Sequence, residues 1–441
     1  MNDTIAAVAT AAGESGIAIV RVSGPRSLEI LKKAFRPKRK KAVFTPNTMV
    51  YGFVTDENGA DIDEGYAVYF RAPYSYTAED VIEIQTHGGR ISAERTLRRV
   101  FALGAAPAGP GEFTRRAFEN GRIDLTKAEA VMNVIGARSL SMHRAGIRQL
   151  RGGVTSFIHT ASDALTGTLA LIEACDDFPE EVEEDAASAK IASVIRPLIA
   201  DLESKTDGKK VALVRNGARV ALVGKPNVGK SSLLNALTGT DTAIVTAIPG
   251  TTRDVVTQEM TLDGIRVLLS DTAGQRETGD AVEKIGVERA KREAENADVV
   301  LIVLDSSRGT DAEDEALLTG ADARAIIVSN KCDLNGNRSK EGIPVSAVTG
   351  AGLDALRAEI RKKIDTEAVG DDLITVQRQL ELARSAAEKL KNALSTVEAG
   401  YPVDLAALDL QSALQDLLEI TGENAAEGII DRVFSDFCVG K

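Results

Sequence analysis

Apolar and polar residues follow three different rhythms along the chain. In residues 1–120 the apolar positions come in short runs, such as Ile17–Val22 and Tyr66–Phe70, separated by clusters of Gly, Pro and Asn. Runs of that length between turn formers predict strands. Within the same stretch, Ser92–Leu103 has apolar residues at helical spacing, so the segment reads as an α+β domain. The pattern changes at Asp124. Residues 121–215 are rich in Ala, Leu and Ile, poor in Gly, and spaced for helices. The acidic stretch CDDFPEEVEED at 175–185 interrupts them. Pro179 predicts a break between two helices there, with the acids on a solvated loop.

A third rhythm starts at Ala218. ARVALVG, IRVLLSD, ADVVLIVLD and ARAIIVSN are apolar runs suited to buried parallel strands, and helical patterns lie between them. Alternating strand and helix predicts a doubly wound parallel sheet. That module ends near Ile364, after AGLDALRAEIRKKI, and residues 373–422 return to the helical style. The expected fold class is multidomain α/β. An N-terminal α+β domain (1–120) precedes an all-α domain in two parts (121–215 and 365–441), and a P-loop module (216–364) is inserted between those parts. Insertion is easy where domain termini lie close together on the surface. No tandem repeat is present.

The length of 441 residues suits about three domains at about 150 residues each. Cys175, Cys332 and Cys438 lack paired spacing, which excludes a disulfide framework or zinc site as an organising feature and points to a reducing compartment. Three histidines leave little room for a histidine-rich metal centre. The N-terminal MNDTIAAVATAAGESG has no basic n-region, and no apolar run approaches a membrane span. The expected location is the cytoplasm, with no membrane partner. Lys and Arg number 53 against 65 Asp and Glu, a net charge of −12, which excludes a mainly electrostatic, nonspecific nucleic-acid binder. A local basic patch remains open at KKAFRPKRKK, residues 32–41, whose plain alternative is a solvated loop.

The strongest chemical signal is GKPNVGKS, Gly224–Ser231, which fits G-x-x-x-x-G-K-S between an apolar strand and the helical SSLLNALTG. Backbone N–H groups through Asn227, Val228, Gly229 and Ser232 are expected to curl around phosphate oxygens. Lys230 places a cation on the terminal phosphates, and Ser231 can ligate magnesium. The helix N-terminus adds its dipole. DTAG follows at a strand end: Asp271 can hold magnesium through water, and Thr272, Ala273 and Gly274 can bring an N–H to the γ-phosphate. Between these motifs lies the switch segment Thr246, Ala247, Ile248, Pro249, Gly250, Thr251 and Thr252, in which a threonine suits the second magnesium position. NKCD follows, again at a strand end. With Asn330 and Lys331 beside it, the Asp333 carboxylate suits the N1–H and exocyclic amine of guanine, a donor pair that adenine lacks. Cys332 reads as a small filler. Ser346 and Ala347 of SAVTG can complete the base pocket through backbone N–H groups. Four motifs in this order predict GTP as the ligand and substrate.

These motifs resemble the Era-like branch of translation-associated GTPases. Five further stretches narrow the resemblance: DTIAAVAT and GIAIVRVSG, then EDVIEIQTHGG at 79–89, PGEFTRRAFENGRIDLTKAEA at 110–130, and the terminal EITGE…IIDRVFSDFCVGK. Over essentially the whole chain the sequence resembles the MnmE (TrmE) family of tRNA modification GTPases. Val439 departs from it slightly, since the family usually has Ile or Leu there.

The resemblance implies a set of expectations. The chain acts with the flavoprotein MnmG (GidA), which brings FAD and NADH. Together they add an aminomethyl or carboxymethylaminomethyl group to C5 of the wobble uridine of certain tRNAs. The carbon comes from 5,10-methylene- or 5-formyl-tetrahydrofolate bound to the N-terminal domain, which also forms the homodimer contact. GTP hydrolysis is stimulated by potassium, and the G domains dimerise across the nucleotides. Folate binding falls on Arg21, Glu83 and Arg122, with Lys441 nearby; the family often has Lys where Arg122 stands. By itself, Glu83 would read as a strand-face charge. Potassium falls on Asn227 with backbone oxygens of Thr246, Ile248 and Thr251, while Thr252 joins Ser231 on magnesium. Asn227 as a plain turn former is the alternative. His87 reads as a hydrogen-bonded structural histidine.

Two further residues carry catalytic expectations. The Cys438 thiolate can add to C6 of uridine and so activate C5; packing of the tail beside folate is an equal alternative. Glu283 in AVEKIGVERA is expected to orient the attacking water. Gln275, directly after DTAG, is the residue type other GTPases use for that task, and the family pattern favours Glu283. The competing function is a ribosome-assembly GTPase switch of the Era or Der kind. It requires a second GTPase module or a basic KH-like tail, and the sequence carries neither. A folate-binding scaffold whose GTPase only orders the complex is a third reading.

Overall fold

The computed structural model describes residues 3–39, 42–178, 180, 183–239, 257–271, 293–334, 341–364 and 373–440. The chain divides into two compact units. One gathers Met1–Met132, Gln149–Ala200 and Glu381–Lys441, the other Asn133–Arg148 and Asp201–Leu380.

The first unit opens with β1 (Ile5–Val8), β2 (Ser15–Ser23), α1 (Ser27–Ala34), β3 (Phe35–Pro37), β4 (Val50–Thr55), β5 (Asp61–Phe70), β6 (Val81–Gly88), α2 (Arg90–Ala102) and β7 (Ala106–Pro107). The strands form one sheet in the order β3-β4-β5-β6-β2-β1-β7. It is antiparallel except where β7 joins β1. The period of two decides which face does what. Val20, Val22, Ile82 and Ile84 point to one face and pack with Ile30, Leu31 and Val100 of α1 and α2. Arg21 and Glu83, one position out of phase, therefore lie on the other face and are direct cross-strand partners. There Ile5 and Ala7 meet Phe113 of α3 (Glu112–Glu119).

Helices follow as the sequence predicts: α4 (Leu125–Ile135), α5 (Leu140–Leu150), α6 (Gly153–Asp177), α7 (Glu184–Lys205) and α8 (Gly208–Asn216). The chain leaves helix after Asp177 and re-enters it at Glu184, around the break expected at Pro179, which itself lies outside the described residues. α7 carries Pro197 in its interior, at the cost of a helical hydrogen bond. Buried Ile191, Ile195, Leu198 and Leu202 recur at helical spacing and offset it.

The second sheet comprises β8 (Ala218–Val223), β9 (Thr257–Leu262), β10 (Ile265–Asp271), β11 (Val299–Asp305), β12 (Ala325–Asn330) and β13 (Ile343–Pro344). Helices α9 (Lys230–Thr238), α10 (Ala312–Thr319) and α11 (Leu353–Ile364) come between and after them. The strand order is β13-β12-β11-β8-β10-β9, parallel except for the β9 edge. The four apolar runs are β8, β10, β11 and β12. Their Leu, Ile and Val side chains form a continuous core with α9 and α11. Winding reverses at β8, which lies between β11 and β10. In sheets of this kind the crevice at the carboxyl ends beside that reversal receives the ligand.

The first unit is completed by α12 (Gln377–Glu398), α13 (Ala407–Thr421) and α14 (Glu427–Ser435). α13 packs along α6, and α14 docks on α3. The architecture is multidomain α/β, with an α+β sheet, a helical part and a doubly wound P-loop sheet. Among the described residues no helix is long and apolar enough to cross a membrane.

Candidate active site

The phosphate loop leaves the carboxyl end of β8 and returns as α9. Gly229 has φ +94, and a Cβ there would stand 2.4 Å from Asn330 Nδ2, so only glycine allows the approach. Lys230, 5 % exposed, donates to the carbonyls of Gly224 (2.6 Å) and Lys225 (2.7 Å). Burial pushes its ammonium below the ordinary lysine range, with the nearby Asp271 carboxylate pulling the other way. Ser231 Oγ donates to Asp271 Oδ2 at 2.5 Å, joining the first helical hydroxyl to the last residue of β10. A hydroxyl beside a carboxylate is a hard-oxygen pair suited to magnesium. Ser232 is exposed and Val228 buried. Asn227 is exposed with φ 64, and its side chain has no hydrogen-bond partner among the described residues.

The base-side loop is stitched to this one. Asn330, 1 % exposed at the end of β12, donates from Nδ2 to Val228 O (2.8 Å) and accepts at Oδ1 from the Ala347 N–H (3.2 Å). Its own carbonyl takes the Ser306 N–H and hydroxyl. Lys331 Nζ donates to Asn227 O (2.7 Å) and pairs with Asp305 Oδ2 (2.6 Å). Burial alone would raise the Asp305 carboxyl, but Lys331 and Ser307 outweigh it and hold it below the ordinary range. Asp333 is exposed beyond them. Ser346 is buried and its N–H donates to Ala351 O, so the N–H groups of Ser346 and Ala347 both have partners within the protein. Asp305 and Ser306 belong to no nucleotide-binding motif in the sequence. Their signal is position, since an acid ends the apolar run ADVVLIVLD just as Asp271 ends β10. Thr246, Ala247, Ile248, Pro249, Gly250, Thr251, Thr252, Thr272, Ala273, Gly274, Gln275, Glu283 and Lys441 lie outside the described residues.

On the first sheet, two of the three folate residues expected from the sequence, Arg21 and Arg122, meet at one ring, and Glu83 joins them through Arg21. Arg21 bonds Glu83 Oε1 at 2.9 Å. Its guanidinium carbon lies 5.3 Å from the Tyr76 centroid and 5.7 Å from that of Phe113. Arg122, exposed, holds its guanidinium 5.0 Å from the same Tyr76 ring. Two cations over one aromatic ring use the negative quadrupole of its faces. The Tyr76 hydroxyl shares a hydrogen bond with Thr114 Oγ1 at 2.9 Å. Arg21 Nη1 is buried without a partner, an orphan donor beside Glu83, whose Oε2 has no hydrogen-bond partner among the described residues. That pairing fits the mixed donor and acceptor edge of a pterin. Tyr76 is absent from the sequence reading; the aromatic cluster just before EDVIEIQTHGG was its only trace. His87 Nδ1 bonds Asp63 Oδ1 at 2.7 Å.

The C-terminal tail meets this sheet. Val439 bridges Pro110, and the Gly111 N–H donates to Cys438 O at 3.4 Å. Gly440 has φ +96, and a Cβ there would lie 2.4 Å from Val8 O. Val8 follows Ala7, the cross-strand partner of Arg21. Phe437 packs against Phe434 with the rings tilted by 46°, and Phe434 meets Phe118. Cys438 is exposed and unpaired by any disulfide.

Comparison with known proteins follows the same division. Residues 4–122 match the family described as GTP-binding protein TrmE N-terminus, and residues 125–438 match the MnmE helical domain. Curated relatives named tRNA modification GTPase MnmE align with 100% of this chain and 100% of their own length. They are 41% identical in Symbiobacterium thermophilum, 43% in Moorella thermoacetica and 40% in Thermotoga maritima. The chain belongs to the MnmE (TrmE) family of tRNA modification GTPases.

Proposed function

We propose that this chain hydrolyses GTP in the course of modifying the wobble uridine of tRNA. It does so with an MnmG-type flavoprotein that brings FAD and NADH. Residues 216–364 are the GTPase. Residues 1–120 hold the tetrahydrofolate and form a homodimer contact, and 121–215 with 365–441 form the helical domain. Magnesium, when bound, would neutralise charge on the terminal phosphates. Ser231 and Thr252 would hold it, with Asp271 acting through water. Lys230 leaves its two carbonyl acceptors for the terminal phosphates. Asp333 selects guanine. Potassium, on Asn227 and the switch backbone, adds positive charge where other GTPases use an arginine. At the other site, Arg21 donates and Glu83 accepts along the pterin edge, while Arg122 holds the anionic tail of the folate. The tail of the chain brings Cys438 to the same sheet, and Lys441 is the further cation the family resemblance gives to the folate.

The observation that carries this reading is the meeting of Arg21 and Arg122 at Tyr76, with Glu83 paired to Arg21 and Gly440 wedged against the strand next to Arg21. A ribosome-assembly switch has no use for such a site. The test is reconstitution: the full chain, an MnmG-type flavoprotein, tRNA, GTP and folate labelled at its one-carbon unit, in potassium and in sodium. Label at C5 of the wobble uridine and faster GTP turnover in potassium are expected. GTP turnover with unlabelled tRNA would overturn the folate reading in favour of the switch, and equal turnover in the two salts would remove the potassium assignment.

A further inference from the structure

We propose that the basic corner of the first sheet, where α1 runs into the edge strand β3, is a contact surface for the sugar–phosphate backbone of the tRNA. This rests on the tRNA reading above and adds to it where the RNA lies on the chain. Against a net charge of −12, residues 32–39 (KKAFRPKR) carry five cations and no acid. The fold concentrates them: Lys32 and Lys33 end α1, the next residues form β3, and β3 is the outermost strand of its sheet. Lys33 pairs with Glu29 and Arg36 with Asp61. Lys32, Lys38 and Arg39 are exposed and have no carboxylate partner among the described residues. Three uncompensated cations so close together repel one another unless an anion joins them.

The shape and the rings point to a nucleic acid. Lys32, Arg36, Lys38 and Arg39 rim a cleft of about 740 Å³ walled by Phe44 and Phe53. Lys38 Nζ lies 5.0 Å from the Tyr51 centroid, and the Arg36 guanidinium 5.4 Å from that of Phe53. Cations for phosphates beside aromatic walls for exposed bases are how proteins hold single-stranded or looped RNA. A peptide strand adding to this edge is disfavoured, because Pro37 lacks the N–H that such pairing needs.

The test is tRNA binding by the full chain across a sodium chloride series, for wild type and for Lys32→Ala/Lys38→Ala/Arg39→Ala. Each phosphate contact contributes about 0.7–0.9 to the log–log salt slope, so losing three should flatten it by about 2–3 and weaken binding roughly 10- to 100-fold at moderate salt. The variant Lys32→Arg/Lys38→Arg/Arg39→Lys should bind as wild type, and GTP hydrolysis should be unchanged in both. An unaltered slope and affinity in the alanine variant would overturn the proposal, as would a wild type that retains no tRNA. Polyglutamate or anionic vesicles displacing tRNA at equal charge concentration would overturn the assignment to RNA. The reconstitution above decides the wobble-uridine reading independently, since label in tRNA together with an indifferent corner would sink only the corner.

Discussion

The side chain of Asn330 offers the sharpest test of how the nucleotide site is built. Its Nδ2 and Oδ1 join Val228 of the phosphate loop to Ala347 of the base loop. Asn330→Ala removes both bonds and strands one carbonyl and one N–H. A buried polar group left unsatisfied costs about 1–3 kcal/mol. Val228 is buried and pays in full, whereas Ala347 is half-buried and water offsets part of its loss. The sum is about 2–4 kcal/mol; both bonds form without nucleotide, so only the part recovered when nucleotide orders the two loops reaches the affinity, which at about 1.4 kcal/mol per tenfold is at most roughly 700-fold. The loss falls on the frame and not on the base. Asp333→Asn behaves differently: an exposed carboxylate becomes an amide, which strands nothing in the fold and moves preference from guanosine toward xanthosine nucleotides. The assay is fluorescence titration with GTP, GDP and XTP on wild type, both single variants and the double variant. Asn330→Ala should weaken GTP and GDP equally, and should weaken XTP by the same factor in the Asp333→Asn background. If Asn330→Ala changed the preference between bases, or left affinity within twofold, the bridging role would be refuted.

Four further outcomes are expected. In single-turnover hydrolysis in potassium, Glu283→Ala should be slow and Gln275→Ala near wild type; the reverse order would assign the water to the glutamine. Gly440→Ala, strained by about 1–2 kcal/mol at positive φ and blocked by Val8 O, should lose tRNA modification with GTP turnover intact. Cys438→Ser should do the same if the thiol reacts, and full modification by that variant would leave the tail a packing role. Asp124 caps α4, accepting from the Lys127 N–H at 2.9 Å and the Thr155 hydroxyl at 2.9 Å. Burial would raise its carboxyl, but Thr126, Lys127 and Thr155 outweigh it and hold it below the ordinary value. Its contribution is therefore full above the unfolded pKa of about 3.9 and fades as pH falls through the lower folded one. Asp124→Ala should cost about 1–2 kcal/mol near pH 7, and thermal unfolding should show the gap closing below about pH 4.

Legibility in the sequence followed the range of the interactions. β8, β10, β11 and β12 were legible because strands buried on both faces need unbroken apolar runs, and the motif glycines and lysine because phosphate chemistry fixes their spacing. β9 was not: TQEMTL is a mixed edge strand, fixed by pairing with β10 through the Asp263–Gly264 turn, both at positive φ. The two- and three-residue strands β7 and β3 exist only through their partners. Tyr76 was invisible for a similar reason. Its role comes from Arg21 and Arg122, which arrive from distant points of the chain, and no local pattern encodes their meeting. The helix through Pro197 is set by its buried apolar stripe, which local propensity does not report.

The most direct test is nucleoside analysis, by chromatography and mass spectrometry, of total tRNA from cells lacking this chain. The same analysis follows re-expression of the wild type and of Lys230→Ala. Loss of aminomethyl and carboxymethylaminomethyl uridines, restored by the wild type and not by Lys230→Ala, is the predicted result. A full complement of modified wobble uridines in the deleted cells would contradict it.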